Sequence, residues 1–282
     1  MWWYFLVLFP AALILWLLYE WMEHTWIQYK TTIVECQKLH NHTELRVCLI
    51  SDLHNNKKDF NKLTAHIKAF APDILFLAGD LVNKHITRNV FAEQFLDTIS
   101  TLDIPVFYSA GNHELTLMEE HPCEWKDFLK RLPKEITYLE NESVLQKVNS
   151  EEICITGLSL PRIFYKKGKL YQNKTELPKI RIPENRFQIL IAHHPEYAGF
   201  YEAYHADFIV SGHLHGGLLR LPFLGGMVSP RLCIPNGYDA GTVDLQDGSK
   251  MFVSRGLGSH TIPLRFFNRV EVNFLVLKGT KE

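Results

Sequence analysis

The sequence predicts an α/β protein with two sheets, preceded by one transmembrane helix. Three observations support this fold class. Strand-like and amphipathic helical segments alternate between residues 45 and 109, short strand-like segments with few helices follow from residue 137, and an uncharged apolar run opens the chain. Alternating strands and helices are typical of a parallel sheet covered by helices. The later strands predict a second, mixed sheet that packs on the first.

The opening apolar run, Trp2 to Leu18, contains no charged residue. As a helix it spans about 26 Å, which approaches the roughly 30 Å hydrocarbon core of a membrane, and aromatic residues at both ends suit the two interfaces. A cleaved signal peptide is the alternative, but no basic residue precedes the run and no small-residue cleavage site follows it. We therefore expect a membrane anchor over 1–20, a linker over 21–40 and a globular domain over 41–282.

Hydrophobic periodicity places the elements of the globular domain. Residues 60–70 carry apolar side chains at helical spacing, and a second helix is expected near 90–99. The expected strands span 45–50, 73–78, 105–109, 143–148, 153–157, 187–192, 207–210, 251–254 and 270–277. The polar stretch 166–183 contains glycine and proline and is expected to be a surface loop.

The composition excludes some classes of function. The net charge is −1, which gives no electrostatic reason to expect a nucleic-acid partner. The five cysteines are scattered without C-x-x-C spacing, so buried free thiols are expected rather than bridges or thiolate metal ligands.

Five of the expected strands end in Asp, Asn or His side chains. The clusters that follow these strands are Asp52-Leu53-His54, Gly79-Asp80, Gly111-Asn112-His113-Glu114, His193 and Gly212-His213-Leu214-His215. Each cluster alone is weak, because an Asp or His at a strand end often serves the structure only. Ligands collect outside the carboxyl ends of strands in open α/β sheets. Five such ends therefore predict one shared metal centre.

The residue types narrow the metal. Carboxylate, amide oxygen and imidazole without thiolate suit manganese, iron or zinc. Two aspartates, one asparagine and four histidines are more than one tetrahedral ion takes, so two divalent transition metal ions bridged by a carboxylate are expected. Such a pair activates a water and clamps a phosphoryl group.

The order D-x-H, G-D, G-N-H-E, H and G-H-x-H resembles the calcineurin-like metallophosphoesterase superfamily. The stretches 211–217, 220–223 and 253–258 resemble more narrowly its membrane-anchored YkuE/YaeI-like phosphodiesterase branch. The resemblance implies a four-layer α/β/β/α sandwich. It also implies a single-pass membrane protein with its catalytic domain outside the cytoplasm.

The resemblance implies a role for each site residue. Asp52, His54 and His215 would hold one metal ion, Asn112, His193 and His213 the other, and Asp80 would bridge them. His113 would protonate the leaving oxygen or stabilise the transition state, with Glu114 orienting it. Because the family pattern is H-x-P, the ligand falls on His193, two residues before Pro195, and leaves His194 as a pocket residue.

Substrate contacts are less well defined by the sequence. Arg220, Arg255 and Arg265 are candidates for phosphate binding, because guanidinium pairs bidentately with phosphate. The stretch 218–228 is unusually apolar for a connection. It either packs on the second sheet or forms a lip that admits a lipid-linked phosphoester.

The expected reaction is hydrolysis of a phosphodiester by metal-activated water at a membrane-anchored site. One alternative is a pyrophosphohydrolase of a nucleotide-linked lipid of the UDP-diacylglucosamine type, which the resemblance to that branch implies. A second alternative is a non-catalytic metal-binding scaffold on the same fold. The motifs do not separate monoester, diester and pyrophosphate substrates.

Overall fold

A computed structural model describes most of the chain. The described residues are 2–40, 43–149, 151–166, 168–183, 185–217, 219–221, 223–228, 237–259 and 264–281, and the side chains of 2–6 and 281 fall outside the description. The helices are α1 (Trp2–Thr25), α2 (Phe60–Phe70), α3 (Val90–Ile99), α4 (Asn112–Glu120), α5 (Pro122–Lys130) and α6 (Ala198–Tyr201).

Within the described residues, the first sheet has six strands in the order β1-β14-β2-β3-β4-β5. These strands are β1 (Gln28–His40), β2 (Glu44–Ile50), β3 (Ile74–Ala78), β4 (Val106–Ser109), β5 (Ile136–Leu139) and β14 (Glu271–Lys281). Strands β2 to β5 are parallel, whereas β14 runs antiparallel to β2 and parallel to β1. The carboxyl ends of β2, β3 and β4 therefore lie at one edge of this sheet.

The second sheet, across the same described ranges, has the order β12-β13-β9-β8-β7-β6. Its strands are β6 (Glu142–Val148), β7 (Glu151–Leu158), β8 (Phe187–Ala192), β9 (Phe208–Ser211), β12 (Gly241–Asp244) and β13 (Lys250–Val253). The central strands β7, β8, β9 and β13 are parallel, and the two outer strands are antiparallel. A small antiparallel hairpin, β10 (Leu219–Leu221) and β11 (Gly225–Val228), follows β9.

The alternation of side chains in β3 shows how the layers form. Leu75 and Leu77 join the core under α2, α3, α4 and α5, while Ile74, Phe76 and Ala78 face the second sheet. Side chains of successive strand residues point to opposite faces, so a strand buried on both faces is apolar throughout. The prediction of two packed sheets flanked by helices is confirmed.

The expected linker over 21–40 is absent, because these residues form regular structure. Helix α1 continues to Thr25, and β1 pairs in parallel with β14 over most of its length. Val34, Cys36 and Leu39 of β1 are buried between the two sheets. The polar residues that alternate with them, which made the segment resemble a linker, face outward.

The expected membrane anchor is corrected by the structure. In the part of the chain that is described, no helix is both long enough and apolar enough to cross a membrane. The predictions of a single-pass span over 1–20 and of an extracytoplasmic domain held at a membrane are therefore wrong. Glu20 and Glu23, near the carboxyl end of α1, are buried against the globular domain, so this end of the helix is part of the fold.

The structure also contains helices, a hairpin and cysteines that bear on the remaining predictions. The helices over 60–70 and 90–99 are present, but α4 and α5 are not predicted by periodicity because they are short and rich in polar residues. The apolar stretch 218–228 forms the hairpin of β10 and β11, with residues 218 and 222 outside the described ranges. Cys48 and Cys154 are buried free thiols as expected, and Cys233 lies outside the described residues.

Candidate metal centre

The carboxyl ends of strands from both sheets meet at one place. Asp52 and His54 follow β2, Asp80 follows β3 and Asn112 begins α4 directly after β4. The second sheet contributes His193 after β8, and His213 and His215 after β9. The seven residues expected to hold metal are therefore contributed in chain order by five neighbouring strand ends.

The candidate ligand atoms form overlapping groups. Within each group the atoms lie within 4.8 Å of one another, and the groups are Asp52, His54 and His215; Asp80, His193 and His213; and His54, Asp80 and His113. His215 Nε2 lies 3.4 Å from Asp52 Oδ1, and His193 Nε2 lies 3.2 Å from Asp80 Oδ2. His54 Nε2 lies within 3.9 Å of both carboxylates. The two aspartates therefore lie among the imidazoles.

Two atoms of this centre have lone pairs that the protein does not use. Among the described residues, Asn112 Oδ1 and His193 Nε2 are buried and make no hydrogen bond. His193 Nδ1 lies 2.7 Å from the carbonyl oxygen of Ala78. A carbonyl only accepts, so Nδ1 carries a proton, and in the neutral ring Nε2 would present its lone pair to the centre. The residues present thus fit a metal ion.

The backbone at the candidate ligands is unusual. Asp52, His54, Asp80, His213 and His215 all have positive φ angles, between 50° and 71°. Such conformations cost free energy for residues with a Cβ and cluster at functional sites. The sequence pattern gives no sign of this strain.

Glycine is required beside two of these positions. Gly79 has a φ of +80°, and a Cβ there would lie 2.6 Å from the backbone nitrogen of Gly111. Gly216 has a φ of +73°, and a Cβ there would clash with Asn268 Oδ1. The glycines of the G-D and G-H-x-H-G motifs therefore permit close packing of the loops that carry Asp80 and His215.

Glu114 holds two of the loops together. Its buried carboxylate accepts hydrogen bonds from the backbone N–H groups of Asp80 (2.8 Å), Leu81 (2.8 Å) and Gly111 (2.9 Å), and from the hydroxyl of Tyr108 (2.8 Å). Its oxygens are engaged by these donors and by a further backbone amide. Glu114 therefore orients the loops that carry Asp80 and Asn112, not the imidazole of His113 as the resemblance implied.

His113 lies beside the candidate ligands in a defined orientation. Its Nδ1 accepts a hydrogen bond from the backbone N–H of Lys84 at 3.2 Å, and its own backbone N–H donates to Asp80 Oδ1 at 2.8 Å. The ring is 8% exposed. Because Nδ1 accepts, the proton of the neutral ring is on Nε2.

The electrostatics of the centre require positive charge. Burial would raise the pKa of Asp80, but His193 and His113 hold it well below its ordinary value. Burial, together with the charge of Asp80, raises the pKa of Asp52 to about 7 although His193 opposes this. Burial would lower the pKa of His193, but Asp80 and Asp52 raise it to about 10. Two buried carboxylates compete for too little positive charge, which metal ions would supply.

The comparison with known families matches this geometry. The family model described as calcineurin-like phosphoesterase matches residues 45–217, more than half of the chain. This protein belongs to the calcineurin-like phosphoesterases. It is a hydrolase of phosphoric esters in a metallophosphoesterase family that binds divalent metals.

Three relatives illustrate the similarity. A metallophosphoesterase of Campylobacter jejuni is 26% identical over 254 residues, covering 84% of this chain and 60% of its own length. The phosphodiesterase YaeI of Escherichia coli is 26% identical over 245 residues, covering 84% of this chain and 83% of YaeI. The metallophosphoesterase YkuE of Bacillus subtilis is 38% identical over 103 residues, covering 36% of this chain and 34% of YkuE. The chain thus spans about three fifths of the Campylobacter protein.

The three arginines expected to bind phosphate in this phosphoesterase have protein partners. Arg265 is 2% exposed and donates to the carbonyl oxygens of Gly258 (2.7 Å), Arg255 (2.9 Å) and Asn268 (2.9 Å). The guanidinium of Arg265 is buried and donates to three carbonyl oxygens, so it is not available to bind a substrate. The prediction that Arg265 binds phosphate is therefore corrected.

Arg255 and Arg220 are less buried than Arg265. Arg255 pairs with Glu271 and donates to Gln28 Oε1 at 2.7 Å, while Arg220 pairs with Asp239. These ion pairs do not favour a phosphate contact, which stays a prediction for both residues.

Histidine 194 and its neighbours line the second-sheet side of the phosphoesterase centre. The His194 ring is fully buried, with its centroid 4.2 Å from that of His213 and 5.3 Å from that of Tyr165. His193, not His194, groups with Asp80 and His213, in agreement with the H-x-P pattern. Tyr165, in a short 3-10 turn at Arg162–Tyr165, has no motif that could have predicted its place here.

Proposed function

We propose that this protein is a dinuclear metal-dependent phosphodiesterase in which a metal-activated water attacks the phosphorus. The proposal is carried by one observation: side chains from five strand ends of two sheets form three groups of ligand atoms, and the groups are linked by His54 and by Asp80. A single ion would leave part of this donor set unused.

The proposed ligands come from these groups, and Asn112 is added because its buried Oδ1 makes no hydrogen bond. Asp52, His54 and His215 would hold one ion, Asn112, His193 and His213 the other, with Asp80 shared between them. The mixture of oxygen and imidazole donors without thiolate suits Mn²⁺, iron or Zn²⁺. When bound, the ions supply the positive charge that lowers the pKa of a water molecule and neutralises the phosphoryl oxygens.

His113 is proposed as the general acid that protonates the leaving oxygen. Its Nδ1 accepts from the Lys84 amide, which leaves a proton on Nε2. Its backbone N–H binds Asp80 Oδ1, so the ring is held at a fixed position relative to a shared ligand. A positioned histidine of this kind contributes about 10²–10⁴-fold to the rate.

A phosphodiester with an apolar or lipid-linked group is proposed as the substrate class. The support is the hairpin of β10 and β11, which begins four residues after His215 and is joined to the ligand loop by a hydrogen bond from Arg220 Nη1 to the Gly216 carbonyl (3.2 Å). At its tip Phe223 is fully exposed and Leu224 is 70% exposed. Exposed apolar groups next to a polar site are typical of binding surfaces.

The test uses the purified full chain, stripped with a chelator and reloaded with Mn²⁺, Zn²⁺ or Fe²⁺. Hydrolysis of a bis-aryl phosphodiester, an aryl phosphate monoester and a nucleotide-diphosphate lipid is compared at each metal. We expect two metal equivalents in the active protein and a preference for the diester. One equivalent or none in active protein contradicts the dinuclear site, and a preference for the other substrates contradicts the diester assignment.

A further inference from the structure

Two carboxylates near the end of α1 bind the backbone of a distant segment. Glu20 Oε2 accepts from the backbone N–H of Arg265 at 3.0 Å, and Glu23 Oε2 accepts from that of Asn268 at 2.6 Å. Both carboxylates are buried. A buried carboxylate costs free energy unless it is paired or hydrogen-bonded, so these contacts fix the segment firmly to the helix.

The same segment, residues 265–268, reaches a candidate metal ligand. Asn268 Nδ2 donates to the carbonyl oxygens of His215 (2.6 Å) and Gly217 (2.7 Å). Arg265 Nη2 lies 3.3 Å from His215 Nδ1. Nε2, on the other side of this ring, faces Asp52. Both the backbone and the ring of His215 are therefore in contact with residues that α1 holds in place.

The segment has little freedom to adapt. Asn268 is fully buried, and the loop it binds includes Gly216, where a Cβ would strike the Asn268 side chain. Arg265 is tied to three carbonyl oxygens besides its contact with His215. A displacement of the segment would therefore carry His215 with it.

We propose that Glu20 and Glu23 are positioning residues for His215, acting through Arg265 and Asn268, so that α1 is part of the scaffold of the metal centre. The proposal rests on the proposed metal ligation by His215. It assigns to the first 25 residues a role in metal affinity, although the matched family model begins only at residue 45.

The experiment measures Mn²⁺ binding to the metal-free full chain by calorimetry, which does not depend on hydrolysis. Glu23→Ala removes the acceptor of the Asn268 backbone N–H. It is expected to weaken the binding of one of the two Mn²⁺ ions about 10–100-fold, the usual effect of losing an outer-shell partner. Glu23→Gln keeps a carbonyl acceptor and should restore most of that affinity. Asn268→Asp, which lacks the donor to His215, should resemble Glu23→Ala.

Two controls separate positioning from stability. Glu35→Ala removes an exposed carboxylate of β1, and Ile136→Val makes a small cavity in β5, far along the sheet from α1. Both should bind two Mn²⁺ ions with the affinities of the wild type, even where Ile136→Val lowers the melting temperature. An equal loss of Mn²⁺ affinity in Ile136→Val and Glu23→Ala would show that the Glu20 and Glu23 carboxylates act only through stability. That result would overturn the proposal.

The outcomes also separate this inference from the proposed function. Wild-type protein that binds two Mn²⁺ ions but hydrolyses no phosphoester contradicts the function, and selective loss of one ion in Glu23→Ala then still supports the positioning role. Unchanged binding in both Glu23→Ala and Asn268→Asp overturns the positioning role, whether or not the wild type is active. If Glu23→Ala does not fold, Asn268→Asp alone decides.

Discussion

The two sheets contribute to the metal centre in different ways. The first sheet supplies the carboxylates, the amide and His54, and its loops are held by Glu114, which lies in the same short motif as Asn112. The second sheet supplies imidazoles alone, and its His215 is held by residues 265–268 and, through them, by α1. The first-sheet half is thus braced by Glu114, which lies within its own motif. His215 is braced by Asn268, about 50 residues later in the chain, and through Asn268 by Glu23, about 190 residues earlier.

The largest difference between the halves is expected from removing one ligand of each. Asp80→Ala takes away the carboxylate that is proposed to be shared by the two ions, and this variant should lose both ions and all activity above background. His215→Ala should lose one ion and keep the other, because Asn112, His193 and His213 are untouched. Elemental analysis after dialysis measures this. Retention of two ions in Asp80→Ala would show that Asp80 is not the shared ligand.

The next largest effect is expected on turnover, with metal binding unchanged. His113→Ala should retain both ions and reduce the turnover of a diester with a poor leaving group by about 10²–10⁴-fold. With a good leaving group, which needs little protonation, the loss should be much smaller. Equal losses on the two substrates would contradict the acid role and leave His113 as a part of the first-sheet scaffold.

A smaller effect is expected from weakening the local brace. Glu114→Gln loses the charge that binds several backbone amides and should reduce metal affinity about 10–100-fold. The free energy of unfolding should fall by about 1–3 kcal/mol, because buried donors lose a charged acceptor. Tyr108→Phe removes only one of the donors to Glu114 and serves as the matched control, with a much smaller change in both measurements. A larger loss of metal affinity in Tyr108→Phe than in Glu114→Gln would contradict the role of Glu114 in holding the two loops.

A last effect, on stability alone, tests how α1 is joined to the domain. Lys58 Nζ donates to the His24 carbonyl at 2.6 Å, and burial, with Arg265 nearby, lowers the pKa of Lys58 from 10.5 to about 8. Between these values the unfolded chain binds more protons than the folded one, so this group makes stability rise as pH increases from 8 to 10.5. Lys58→Met should remove that rise. Melting temperatures of both proteins at pH 8, 9 and 10 measure the difference, and parallel curves would contradict the shift.

The sequence places the first-sheet candidates at strand ends, because they lie in short motifs, but it does not predict the bracing contacts of Glu114. Asp52, Asp80 and Asn112 follow apolar runs whose periodicity is clear, and Gly79, next to Asp80, matches the positive φ angle of its loop. The contacts that hold His215 are harder to predict. Nothing near Glu20 or Asn268 in the sequence indicates that they meet, since such pairing depends on the complete packing of both sheets.

The errors have physical causes as well. The run 2–18 is uncharged and apolar, which favours a membrane span in the sequence, whereas Glu20 and Glu23 in the following turn are buried against the globular domain. The segment 28–40 was expected to be a linker because its exposed face is polar and charged. Arg265 has the right chemistry for phosphate, but its charge alone does not reveal that carbonyl oxygens already occupy its donors.

The pairing of β1 with β14 has a consequence for how the protein matures. As the chain is synthesised, β1 emerges first and its partner only about 240 residues later. Contacts that span so much of the chain form late and slowly, because a large loop must close before they are gained. Segment 265–268 is made after all of the candidate ligands, so His215 cannot be held by Asn268 until that segment has emerged. The nascent chain therefore acquires its first-sheet ligands early, and full metal affinity is expected only after segment 265–268 has been made.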